Sequence, residues 1–464
     1  MATLAEKRGR ALPRRTRIES QVLRLPDSPA IRPPVRSEAN RMIEHESRSL
    51  LARLAHISPF ALHEAMVPAA ALTPQAQTAI EKYLSNGRRA LRSKVQAFIT
   101  WLRTPEAQAI SPDDLQKRFT FLRLKFNDVL SQFDMFSEIV TQRSEHDIGV
   151  WLSGIDVVAA DSLKIPGNYY EIPPLACYLA RGPGAAIRRV KTRMPGDTEN
   201  PVALIRIPRE RMIGTGISSS LVHEAGHQGA SLLQLVESLK PVLQARAAED
   251  TRNGKTASAW RFWDLWISEI IADFWGVGKV GVASTYGLIA LVSLPSFFVF
   301  RLNADDPHPS SYIRVKLSCA IGKELYPHPQ WDELVRLWDT LYPTDTQSPE
   351  LQQTFRMLEA GIPEFIALLC DHRPASLRGK SLRQIMPVDE RTPARLGELY
   401  RSWNGSLMKM RAVAPTLAFA ALGQARADKQ LTPEQESQSL AYLLKYWALK
   451  STLDIAEKCS SSTN

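Results

Sequence analysis

The densest chemistry in this sequence lies in His223-Glu224-Ala225-Gly226-His227. On a helix, residues four apart share a face, so the two imidazoles can grip one metal ion. Glu224 sits beside that face and can reach a metal-activated water as general base. At average His and Glu frequencies this pattern arises by chance in about one chain in a hundred of such length. It therefore needs a third ligand, because a zinc site that keeps an open position takes three from the protein. A partial match, His63-Glu64-Ala65-Met66-Val67, lacks the second histidine.

Trp266-Ile267-Ser268-Glu269-Ile270-Ile271-Ala272-Asp273-Phe274 offers the missing ligand. Glu269 and Asp273 again share a helical face, and their flanks are Trp, Ile and Phe. Two carboxylates on so apolar a helix are costly to bury unless a metal or hydrogen bonds compensate them. Ligation of Zn2+ by Glu269 supplies that compensation, with Asp273 accepting a hydrogen bond from a ligand histidine. A solvated acidic stripe is the competing reading, and those flanks fit it less well.

The elements that must position these residues follow from periodicity. Residues 41–141 carry apolar positions at helical spacing, with Thr73-Pro74 and Ser111-Pro112 as helix starts. Between residues 149 and 214 two β-prone runs, 176–179 and 202–207, are separated by turns such as Arg181-Gly182-Pro183-Gly184. From Ser218 the pattern is helical again, with Ser219 and Ser220 as caps ahead of the motif. Near the end, Leu440, Leu443, Leu444 and Trp447 form one apolar helix face. The expected fold is mainly α with a small β-sheet (α+β). Residues 1–40 read as a disordered basic Pro-rich arm, 41–148 as a helical region, 149–325 as the catalytic core and 326–464 as a helical C-terminal region.

Composition bounds the partners. The chain of 464 residues has a net charge of +10, and much of the excess lies in Lys7, Arg8, Arg10, Arg14, Arg15, Arg17 and Arg24. Prolines intersperse them, so a solvated tail is favoured over a nucleic-acid arm. No charged-then-apolar secretory signal opens the sequence. Cys177, Cys319, Cys370 and Cys459 are dispersed with no CxxC pair, which fits a reducing, cytoplasmic setting. Residues 280–300 carry no charge and approach the ~20 residues of a bilayer span. Ser284, Thr285, Gly287, Ser293, Pro295 and Ser296 interrupt them, so a buried helix ending at Pro295, then a strand or turn, is expected rather than a membrane partner.

Three blocks together, HEAGH, SEIIADFW and Asp306-Pro307-His308-Pro309-Ser310-Ser311-Tyr312-Ile313-Arg314, resemble gluzincin metallopeptidases of the CaaX prenyl endopeptidase and HtpX-like group. The resemblance covers roughly residues 202–314. It implies a minimal zincin-like core, with His223, His227 and Glu269 as zinc ligands, Glu224 as base and Asp273 behind a ligand. It also puts catalytic His308, and Arg314, at the substrate cleft. The pair of transmembrane helices flanking the motif in that group has no counterpart here. By chemistry, His308 or Tyr312 is a candidate to steady the oxyanion. The run 201–207, by family likeness, is expected as an edge strand that pairs with an extended substrate. The expected activity is zinc-dependent hydrolysis of peptide bonds in a peptide or protein substrate. The alternative is a non-catalytic zinc-binding regulator or assembly factor whose basic arm contacts nucleic acid.

Overall fold

The computed structural model describes residues 33–56, 66–181, 184–194, 198–209, 214–254, 258–303 and 305–461. Helices α1 (Pro33–His56), α2 (Pro74–Leu102), α3 (Pro105–Ala109), α4 (Pro112–Ser144) and α5 (His146–Ser162) come first. A hydroxyl residue before proline opens three of them. Ala76 N–H donates to Thr73 Oγ1 at 3.3 Å, Ala107 N–H to Thr104 Oγ1 at 3.4 Å and Asp114 N–H to Ser111 Oγ at 3.1 Å. Proline there loses only an N–H that the first turn leaves unpaired anyway. Helix α1 starts at Pro33, inside the segment expected to be an arm. The rest of that arm and the His63-Glu64 match lie outside the described residues.

The chain divides into two compact units. The smaller combines Met1–Arg53 with Ser93–Arg123. In it Ile43 and Leu50 of α1, Val95 and Ile99 of α2, and Leu115 and Phe119 of α4 are buried. The Arg118 guanidinium lies 4.7 Å from the centre of the Trp101 ring. The larger unit combines Leu54–Arg92 with Leu124–Asn464 and contains every residue discussed below. Residues 149–325 and 326–464, expected as core and addition, thus belong to one unit.

Among the described residues five short strands follow: β1 (Leu175–Ala180), β2 (Ala186–Arg188), β3 (Arg193–Met194), β4 (Thr198–Glu199) and β5 (Ala203–Pro208). The main sheet has the order β1-β5-β2, with β5 parallel to β1 (Ala176 opposite Leu204) and antiparallel to β2 (Ile187 opposite Ile205). This corrects one expectation. The run 201–207 is not an edge strand; β5 is the central one, and its buried, apolar residues are paired on both sides.

The two edges of the sheet differ. Along β1, Gln142 bonds both the N–H and the C=O of Leu179 at 2.8 Å. Arg143, buried and paired with Asp156 at 2.8 Å, donates to the C=O of Cys177, whose N–H donates to Asp156 Oδ1. Side chains from α4 and α5 therefore occupy the backbone groups of that edge. Among the described residues no strand pairs with the outer edge of β2.

The rest is helical: α6 (Gly214–Leu232), α7 (Leu235–Arg252), α8 (Ala259–Val280), α9 (Val282–Val292), α10 (Ser296–Val299), α11 (Ser311–Leu325), α12 (Gln330–Leu341), α13 (Pro349–Asp371), α14 (Pro393–Trp403), α15 (Leu407–Met410), α16 (Pro415–Ala427) and α17 (Pro433–Ser461). Helix α8 is buried along nearly its whole second half and packs directly on α6. Two glycines permit this. A Cβ at Gly226 would stand 2.8 Å from Trp275 Cβ, and one at Gly229 would stand 2.7 Å from the Trp275 ring. Any larger residue at either position would force the two helices apart.

Residues 280–300 resolve into the end of α8, a turn at Gly281 with φ +58°, helix α9 and the short α10. The expected helix stops at Val292, and residues 293–298 are exposed. No described helix is long and apolar enough to cross a membrane. In α17, Leu440, Leu443, Leu444 and Trp447 are all buried, as their spacing predicts.

Candidate metal centre

Helix α6 presents His223 and His227 one turn apart, their ring centres separated by 4.8 Å and their planes at 87°. Helix α8 brings Glu269 against both. Glu269 Oε2 lies 3.2 Å from His223 Nε2, and Oε1 lies 3.3 Å from His227 Nε2. These three side chains form a group able to hold a metal ion. Each of these two separations is close to the edge of a tetrahedron with metal–ligand bonds of about 2.0–2.1 Å, roughly 3.3 Å, and the ligand atoms of the set all lie within 4.8 Å of one another. The donor set, two imidazoles and a carboxylate, is of the kind that leaves a fourth position open.

The surrounding groups set the orientation and charge of those ligands. His223 Nδ1 lies 2.8 Å from Asp273 Oδ1, which leaves Nε2 facing Glu269. Ser268 Oγ approaches His227 Nδ1 at 3.4 Å. Arg314, from α11, donates through Nε to Asp273 Oδ2 at 2.7 Å and through Nη2 to Asp273 Oδ1 at 3.0 Å and Glu269 Oε2 at 3.4 Å. One guanidinium thus spans Glu269 and Asp273. Burial opposes ionisation of Glu269 and Asp273, yet both are held below their ordinary range. Hydrogen bonds from His223 and His227 outweigh burial at Glu269, and the Arg314 charge does so at Asp273, which falls to about 2.

Burial also opposes a charge on His223, but the Asp273 carboxylate outweighs it and lifts the imidazole from 6.5 to about 9. The signs follow. In the metal-free fold the raised value contributes stability that is complete below pH 6.5 and lost as pH rises through about 9. Metal binding runs the other way, because the ion must displace that proton. Metal affinity is expected to rise about tenfold per pH unit from pH 6.5 to 9 and then level off, as read by competition with a chromophoric chelator. A flat profile over that window would mean that no proton on His223 competes with the metal there.

Glu224 is buried on the wall of the same cavity. Burial raises its carboxyl above the ordinary value, while the charges of His223 and His227 pull it back. The cavity encloses about 460 Å³. Its lining includes Gly184, Ala185, Ala186 and Ile187, that is, β2 and its approach, and Leu288 and Leu291 of α9.

Of the further residues singled out in the sequence, two reach the cavity and one does not. His308 lines it, with Nε2 3.7 Å from Glu269 Oε2 and Nδ1 2.8 Å from Asp306 Oδ1. Arg314 lines it too, but its Nε and Nη2 donate to Asp273 and Glu269. Tyr312 is a correction. Its ring packs against Phe300 and Phe355, its hydroxyl donates to Asp339 Oδ1 at 2.8 Å, and it is buried outside the cavity. It cannot steady an oxyanion there. Ser219 and Ser220 are corrected as well. Helix α6 begins at Gly214, so these serines are buried within it and line the cavity instead of capping.

No protein-family model, curated protein or solved structure matches this chain.

Proposed function

We propose that this chain is a zinc-dependent metallopeptidase with a gluzincin-type site on a zincin-like core. The observation that carries the reading is the convergence of His223, His227 and Glu269 on one point beside a buried carboxylate, Glu224, in an open cavity. The three-block resemblance to the CaaX prenyl endopeptidase and HtpX-like group supports the same assignment. So does the Asp273–His223 hydrogen bond, a carboxylate behind a ligand histidine. A zinc ion held by these residues supplies Lewis acidity that acidifies water and polarises a peptide carbonyl.

The chain's own groups do the rest. Glu224 accepts the proton of the attacking water and returns it to the leaving amine nitrogen as the C–N bond breaks. A carboxyl raised by burial suits both directions of that transfer. His308, on the cavity rim beside Glu269, is placed to donate to the carbonyl oxygen as it gains negative charge. Arg314 and Asp273 hold the ligands; neither exchanges a proton with substrate.

Metal content by mass spectrometry tests the centre. Purified wild type is expected to hold near one zinc per chain, and His223→Ala and Glu269→Ala are expected to hold none. Zinc bound equally by all three would remove the assignment.

The substrate's path follows from the sheet. Since β1 is covered by side chains, an extended peptide adds to the outer edge of β2. N-methylation of a substrate amide is therefore expected to lower kcat/KM about tenfold at alternate residues only, the two-residue period of a strand. A uniform loss along the peptide would refute strand addition.

A further inference from the structure

The cavity contains one cation that the chemistry above does not use. Arg189 follows β2 directly and lines the same wall as Ala186 and Ile187. Its backbone is pinned. The Arg189 carbonyl accepts from Thr192 Oγ1 at 2.7 Å and from Asn200 Nδ2 at 3.0 Å. The next N–H, of Val190, donates to Gln228 Oε1 at 3.1 Å, and Gln228 is the neighbour of His227. Arg189 is thus tied to the helix that carries the metal ligands. Among the described residues no carboxylate pairs with its guanidinium, whereas that of Arg314 is paired with Asp273 and Glu269. With a divalent cation bound, the cation and two guanidiniums outweigh the three carboxylates on the wall, so the cavity favours an anion.

We propose that Arg189 is a specificity-determining residue, and that the substrates it selects are peptides bearing a carboxylate on the stretch that lies along β2. The carboxylate is either the free C-terminus or an acidic side chain. The inference rests on the peptidase reading for its substrate class but makes a separate claim about binding. A guanidinium offers a planar, two-pronged donor set that matches a carboxylate, and the fixed backbone lowers the entropy lost on pairing.

The test separates the two claims by reading binding apart from turnover. Three dansyl-labelled alanine-leucine hexapeptides, whose label carries no carboxylate, serve as probes: one with a free C-terminus, its C-terminal amide, and an amide with one internal glutamate. Affinity is measured by anisotropy on zinc-loaded Glu224→Gln full-length chain, with and without Arg189→Gln or Arg189→Lys. One of the two carboxylate probes is expected to bind about 10- to 100-fold more tightly than the plain amide. Which of them does so identifies the source. Arg189→Gln is expected to bring that ratio near one with zinc content unchanged, and Arg189→Lys to restore part of it. Equal binding of all three probes, or a preference that survives Arg189→Gln, overturns the proposal. Peptides cleaved by wild type with no carboxylate preference would sink this inference and leave the peptidase. A preference lost with Arg189 but no cleavage of any peptide would do the reverse.

Discussion

Glu224→Gln is expected to keep its zinc and lose turnover by about 10²–10⁴-fold, in kcat with little change in KM. The amide has the size and shape of the carboxyl but cannot take a proton from water. The ligand set of His223, His227 and Glu269 is untouched, so metal content should equal that of wild type. Fold stability should hold too, because burial already disfavours the Glu224 charge and an uncharged side chain relieves that cost. The comparison is made on a peptide library, with zinc quantified in the same samples. A variant that retains wild-type kcat would show that Glu224 is not the base. One that loses zinc together with activity would show that it belongs to the binding site.

The site was legible in the sequence to the extent that helical geometry alone determines it. His223 and His227 share a face because they are four apart, and so do Glu269 and Asp273. The apolar flanks of α8 foretold that its carboxylates would need partners, and the fold supplies them as His223, His227 and Arg314. Tyr312 was misread for a reason the same geometry contains. It stands two residues from Arg314, so on α11 the pair point to opposite sides, and with Arg314 at the centre Tyr312 must face the core. The mainly helical fold with a small sheet followed from periodicity, since long amphipathic stretches dominate the chain.

What periodicity could not give is the order of the strands. β2 is three residues long, too short to show alternation, and its pairing with β5 is a non-local fact. The run 201–207 was expected at the sheet's edge by family likeness, and only the pairing with β2 makes it central. The covering of β1 by Gln142, Arg143 and Asp156 is equally non-local, since those residues lie between 21 and 37 positions away from the backbone groups they bond. The role of Arg189 depends on both facts. The sequence does hold one local signal of the helix packing. Gly226 and Gly229 are three apart, on one face of the motif helix, and small residues at such spacing mark where another helix crosses closely.

The second large effect concerns Arg314. Glu269 and Asp273 are 8% and 6% exposed, and without a metal the Arg314 guanidinium is their main counter-charge besides the imidazoles. Arg314→Met keeps the length and apolar stem but leaves two buried carboxylates facing each other's field. Breaking a buried pair from one side costs about 3–5 kcal/mol, so the metal-free variant is expected to lose that much stability in urea unfolding. A zinc ion compensates Glu269, so the loss should shrink when metal is saturating. By linkage, zinc must then bind the variant more tightly than wild type once proton competition is removed, at a pH above the His223 value of about 9. Equal stability of the metal-free proteins would mean that water already screens both carboxylates, the acidic-stripe reading that their burial argues against. A loss of the same size with and without zinc would mean that the metal does not share Glu269 with Arg314, and the three-ligand centre would fall with it.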